Sequence, residues 1–113
     1  MGMGELLYVG PLAEDPLEAS SDFHARVLPG VELTLGGGAD PLTLVFEPAG
    51  ADHRAWRLAT VQGLARRYAP SRVNAVETDS TEALAATRQW LEGVKAITGQ
   101  LFALDGNGAM SMV

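Results

Sequence analysis

PLTLVFEPAGADHRAWRLATVQGLARRYAPSRVNAV, residues 41–76, reads as a strand, a helix and a second strand. Leu42 to Phe46 is apolar except for Thr43, rich in β-formers and flanked by turn residues, the pattern of an interior parallel strand buried on both faces. Across residues 52–68, Leu58, Val61, Leu64, Ala65 and Tyr68 recur every three or four positions and make one apolar stripe able to cover a sheet. Asp52 suits the positive end of that helix, Arg66 and Arg67 suit its negative end, and Pro70 stops it. Val73 to Val76 is the second strand.

Upstream, Leu6 to Val9 is a short buried strand closed by Gly10-Pro11. Residues 14–21 are acidic and polar around Pro16, a turn or the loose start of a helix. Residues 21–28 fit two helical turns capped by Ser21 or Asp22 and ended by Pro29-Gly30. Val31 to Leu35 alternates as a half-buried strand does, and fits equally a helical fragment with Leu28. Gly36-Gly37-Gly38 before Asp40-Pro41 breaks regular structure. It is not a phosphate loop, because the lysine and hydroxyl residue are missing and a strand follows instead of a helix.

Downstream, residues 78–82 (TDSTE) form a capping box with Asp79 and Glu82. The helix it opens runs to about Leu91, with Leu84 and Leu91 inward and Ala83, Ala86 and Trp90 beside them. Gly93 and Gly99 bracket a loose connector, and Gln100 to Leu104 is the last strand, closed by Asp105-Gly106. Alternating buried strands and capped helices predict an α/β fold: a small parallel sheet with right-handed crossovers and flanking helices, one domain over residues 1–113.

The 113 residues are 47% apolar and 19% charged, which excludes global disorder. A net charge of −6, with no basic cluster longer than Arg66-Arg67, argues against nucleic acid and membrane partners. There is no cysteine, hence no disulfide, no thiolate nucleophile and no thiolate-bound metal. The apolar run over residues 93–103 is too short to span a bilayer, and MGMGELLYVG carries Glu5 and no basic leader. The expectation is a cytoplasmic protein.

Two segments, LARRYAPSRVNAV (64–76) and ITGQLFALDGNGAM (97–110), are similar to the last third of a short-chain dehydrogenase/reductase. Arg72-Val73-Asn74-Ala75-Val76 resembles that family's sixth strand, Thr98-Gly99-Gln100 with Leu104-Asp105-Gly106 its seventh, and the stretch from Leu64 to Pro70 the helix end before the sixth. More weakly, ELLYVG (5–10), Asp15-Pro16-Leu17 and Arg26-Val27-Leu28 look like the fourth strand and its aftermath, and LTLVFEPAG (42–50) like the fifth strand. The resemblance implies a Rossmann-like sheet, truncated to the C-terminal half of the family's domain. The family's chemistry does not come with it. Tyr8-Val9-Gly10-Pro11 stands in place of Asn-Asn-Ala-Gly, Glu32 near the helix Asn, and Glu47 in place of the Ser. Counting back from Pro70, the Tyr and Lys positions fall on Gly50 and Arg54, and the loop before that helix shrinks to about two residues. Gly50 has no proton to donate, and the glycine-rich turn that holds pyrophosphate is absent. No catalytic, cofactor-binding or metal residue is therefore assigned, no cofactor is expected, and the reading is a pseudoenzyme.

The alternative is an enzyme or small-ligand binder built on a cleft near Glu47, His53 and Arg54, with Asp52 beside them. It needs a histidine with a reachable proton; otherwise Glu47 and Asp52 are loop and helix-end charges and His53 is on the surface. A metal site would need His24, His53 and a carboxylate to converge at a spacing that matches no known pattern. Asp79, Ser80 and Thr81 are explained by capping. Trp56, Thr60, Gly63 and Arg67 lie opposite Leu58 and Val61, and small residues with one aromatic suit close helix contact, so a homodimer on that face is expected. Otherwise Trp56 packs on the N-terminal segment. An edge strand at Leu6 to Val9 or Val31 to Leu35, left bare, would also favour self-association.

Overall fold

The computed structural model describes residues 4–104 and 110–112. Four parallel strands stand side by side in chain order: β1 (Glu5–Tyr8), β2 (Leu42–Phe46), β3 (Val73–Glu77) and β4 (Leu101–Leu104). Leu7 sits opposite Leu44, Val45 opposite Val76, and Val76 opposite Phe102, so the parallel arrangement expected from the sequence holds. A strand that no expectation covered, β5 (Met110–Met112), runs antiparallel to β4 with Met110 opposite Leu104. The expected stop at Asp105-Gly106 lies outside the described residues.

Side-chain alternation divides the sheet into two faces. Leu7, Leu42, Leu44, Phe46, Val73, Ala75 and Leu101 share a core with Phe23, Val31, Leu35, Val61 and Leu64 from the helices that cover this side. Leu6, Val45, Val76, Phe102 and Leu104 face the other way, onto Ala83, Leu84 and Leu91 of a single helix.

The N-terminal helical region is longer than its sequence suggested. α1 (Pro16–Asp22) passes without a break through a π-helical turn, Phe23–Val27, into α2 (Leu28–Gly36). Asp15, rather than Ser21 or Asp22, caps it: its carboxylate accepts the Glu18 amide at 3.0 Å. Pro29 and Gly30 do not end it. The π turn restarts the helix there, so Pro29 falls in a new first turn, where its missing N–H has no acceptor to serve. Val31 to Leu35 is helix and not an edge strand, with Val31 and Leu35 buried as a four-residue spacing requires.

α3 (Arg54–Arg67) follows a short 3₁₀ turn, Ala51–His53, and the loop that precedes that turn, residues 47–50, is four residues long instead of about two. α4 (Thr81–Gly93) is capped by Ser80, whose Oγ accepts the Ala83 amide at 3.2 Å. Asp79 is exposed and not the cap, and the Asp79–Glu82 box is not formed, because Thr78 Oγ1 takes the Ser80 amide at 3.0 Å and shifts the helix start by one residue. Thr87 is buried where Ala86 was expected, and Trp90 is 39% exposed.

The two segments that carry the family resemblance are stitched to each other. Asn74, buried inside β3, donates to the Ile97 carbonyl at 3.1 Å and accepts the Gln100 amide at 3.1 Å. The Val73 amide donates to Thr98 Oγ1, and the Gly99 amide returns to the Val73 carbonyl at 2.7 Å. Gly99 has a φ of 74°, which makes glycine the fitting residue in this tight crossing. Arg72 completes the join: it donates to Asp40 and to the carbonyls of Leu91 and Val94, two acceptors left open at the C-terminal end of α4.

Candidate functional site

The carboxyl ends of the strands, where open parallel sheets bind their ligands, open onto two depressions that share Gly10, Glu47 and Pro48. The first, about 600 Å³, lies on the α4 side, between Tyr8, Val45, Leu84 and the turn from Thr78 to Thr81. The second, about 370 Å³, lies on the α3 side, with Glu14, Asp52, His53 and Arg57 in its wall. The cleft expected at Glu47, His53 and Arg54 thus exists in altered form. Glu47 and His53 meet there with Asp52, but Arg54, exposed at the start of α3, is not in the wall; Arg57 is.

His53 is buried, 4% exposed, contrary to a surface placement. Its Nδ1 lies 3.1 Å from Trp56 Nε1 and its Nε2 lies 2.8 Å from the Glu14 carbonyl oxygen. An indole N–H can only donate and a carbonyl can only accept, so Nδ1 is the bare nitrogen and Nε2 carries the proton. Both nitrogens are engaged by the protein. The ring ties the loop after β1 to the start of α3 and leaves no nitrogen open for proton transfer.

Trp56 is turned inward as well. Its ring packs in a cluster with Phe23 and Phe46, tilted against the first and edge-on to the second with centroids 5.7 and 5.8 Å away, so it lies against the N-terminal helical region and does not project from an outer face. Thr60 and Gly63 line a groove of about 450 Å³ between α3 and that region.

Sequence reasoning missed Arg57. Its side chain is 3% exposed and its Nη1 donates to Glu77 at 2.8 Å and to the Glu47 carbonyl at 3.0 Å. The guanidinium carbon lies 4.4 Å from the centre of the Phe46 ring. Burial pushes the arginine below its ordinary pKa, and Glu77 and Glu47 pull it back up. Nε has no hydrogen-bond partner among the described residues. The signal was present in the spacing: Arg57, Val61 and Leu64 lie four and three residues apart, so the arginine sits in the apolar stripe, and Glu77 follows directly on a buried strand.

Gly50 lies in the loop before the 3₁₀ turn and Arg54 heads α3. His24 is held by the Ser20 carbonyl through Nδ1, and among the described residues no three His, Cys, Asp or Glu side chains gather as a metal-ligand set. No helix among the described residues is long and apolar enough to cross a membrane.

Four parallel strands in chain order with flanking helices, and ligand-sized hollows at their carboxyl ends, define a Rossmann-like α/β protein. The chain belongs to the short chain dehydrogenase-like protein family, whose family model matches residues 7–104. No curated protein and no solved structure matches it.

Proposed function

We propose that the protein is a non-catalytic short-chain-dehydrogenase-like module of the cytoplasm that works by association, first with a second copy of itself. The supporting observation is the free edge of β1. The amides of Glu5 and Val9 reach the Pro41 and Val45 carbonyls in β2 and just before it, so by alternation the N–H and C=O groups of Leu6 and Tyr8 point away from the sheet. No strand among the described residues pairs with them. A bare edge beside a 65% exposed tyrosine is a template for strand pairing. Absence of chemistry rests on Gly50, which offers no acid, and on His53, whose two nitrogens are already bonded.

Light scattering on the purified chain tests the reading. The expected mass is twice 11.9 kDa. Tyr8→Pro deletes an outward N–H without touching the β1–β2 ladder and is expected to return a monomer. Gly63→Arg tests the α3 face around Trp56, Thr60 and Gly63; a Cβ at Gly63 meets nothing within 4 Å, so the backbone leaves room for a side chain to start there. A monomeric wild type defeats the proposal, and a dimer lost only in Gly63→Arg moves the interface to α3. Calorimetric titration with oxidised and reduced nicotinamide dinucleotides is expected to show no binding, and low-micromolar affinity would overturn the non-catalytic part.

A further inference from the structure

The larger hollow has a chemistry of its own, although it shares Tyr8 with the β1 edge. Its floor and walls are apolar, from Val45, Leu84, Pro48 and the exposed ring of Tyr8. Its lining includes two carboxylates, Glu47 just after β2 and Asp79 in the turn after β3. Both residues are exposed, and neither carboxylate takes a hydrogen bond or an ion pair shorter than 4.0 Å from the described residues. Among the described residues no lysine, arginine or histidine lines the hollow. The nearest buried cation, Arg57, is bonded to Glu77 and attracts Glu47 only across space, so the rim as a whole keeps an excess of negative charge.

A helix N-terminus ordinarily attracts phosphate. Here α4 begins with its Ala83 amide filled by Ser80, and Asp79 and Glu82 stand at the same end, which makes the hollow hostile to anions. Thr78 adds a polar group to the wall of the hollow. It is 6% exposed, it lines the hollow, and its hydroxyl accepts from Ser80 with one lone pair, leaving another lone pair and its proton without a partner among the described residues. A hollow of about 600 Å³ with an apolar body and few convergent polar groups has the size and make-up of a small-molecule site.

We propose that this hollow binds a small organic cation, an ammonium group on an apolar or aromatic body. The body lies on Val45, Leu84 and Tyr8, and the charge lies between Glu47 and Asp79 with Thr78 as an oxygen acceptor. The tyrosine ring adds attraction for a cation over its face.

The test is a titration of the full chain with 2-phenylethylammonium, with 2-phenylethanol and with phenylacetate, read by amide chemical shifts. The three probes share a phenyl body and differ in charge. The ammonium is expected to shift the amides of Thr78 to Thr81 and to bind about tenfold more tightly than the alcohol, ~1.4 kcal/mol. Phenylacetate is expected to be the weakest. In the double variant Glu47→Gln, Asp79→Asn the preference for the ammonium is expected to vanish while the alcohol still binds. Neither substitution lies on β1, so the mass of the variant separates this result from the association reading. Equal binding of ammonium and alcohol to the wild type, a preference that survives in the double variant, shifts centred elsewhere, or no shift with any probe each overturns the proposal.

Discussion

Among the described residues two continuous helical stretches cover one face of the sheet and α4 alone covers the other, and the two sides differ in what they leave in water. On the first, Phe23, Val31, Leu42, Leu44, Phe46 and Val61 are fully buried. On the second, Tyr8 is 65% and Trp90 39% exposed, and hollows remain along β1 and at the carboxyl ends of the strands. One helix about 10 Å wide cannot span four strands set ~4.8 Å apart. The difference teaches where each property resides: the first face carries the larger core, and the second, although grooves of about 370 and 450 Å³ also lie on the α3 side, leaves a hollow of about 600 Å³ and more exposed aromatic surface.

The largest expected effect separates the faces directly. Phe23 comes from the π turn between α1 and α2 and touches the Phe46 and Trp56 rings, so Phe23→Ala removes the wedge that fixes the N-terminal helices to the sheet. Urea unfolding is expected to show a loss of about 3–5 kcal/mol. Tyr8→Ala on the other face is expected to stay within about 0.5 kcal/mol. Comparable losses at both positions would erase the asymmetry.

The buried pair of Arg57 and Glu77 is the next test, since it places a charge inside the well-covered face. Glu77→Ala leaves the guanidinium without its carboxylate, and the expected loss is about 3 kcal/mol. Arg57→Met combined with Glu77→Leu removes both charges and is expected to recover most of it. A double-mutant cycle by denaturation decides; a double variant as unstable as Glu77→Ala would mean that the guanidinium matters through packing on Phe46 and not through its charge.

The elements legible in the sequence were those whose burial left a period. Leu42 to Phe46 and Val73 to Val76 are strands because short, mostly apolar runs bounded by turn residues fit a strand buried on both faces, and the α3 stripe at Val61, Leu64 and Ala65 is buried as its spacing required. Pro29 and Gly30 misled because breaker rules assume an α-helix, and a π turn renews the first-turn positions where proline is harmless. β5 escaped because Met110 to Met112 is only three residues long, too short for its alternation to register as a period. Of the site, Glu47 and His53 were placed at the correct strand end, but which way His53 and Trp56 turn is decided by the Glu14 carbonyl, 39 residues away from His53, which no local pattern contains.

Asn74 faces the α4 side yet serves the strand ladder, so it tests whether the sparsely covered face has any load of its own. Asn74→Ala frees the Ile97 carbonyl and the Gln100 amide in a buried setting, with an expected loss of about 1–3 kcal/mol. Hydrogen exchange at the Gln100 amide is expected to quicken more than exchange at Leu44. Equal acceleration at both would show that β4 does not open separately from the central strands.

The smallest effect belongs to the rim shared by both faces, where Asp40 accepts the backbone amide and the Nε of Arg72. Burial works to raise the Asp40 carboxyl, but those two bonds and the charges of Arg72 and Lys95 outweigh it and hold the group below its ordinary value. A carboxyl depressed in the folded state contributes stability that is present above its unfolded value, about pH 4, and is lost as pH falls through the folded one. Because 39% of the side chain is exposed, solvent screening keeps the contribution under about 1 kcal/mol at neutral pH. Asp40→Asn preserves an oxygen for the Arg72 amide and removes only the charge. The difference in unfolding free energy between wild type and variant, followed from pH 7 down to pH 3, is therefore expected to be small at first and to shrink towards zero below pH 4. A difference that grows on acidification would mean that burial and not Arg72 governs this carboxylate.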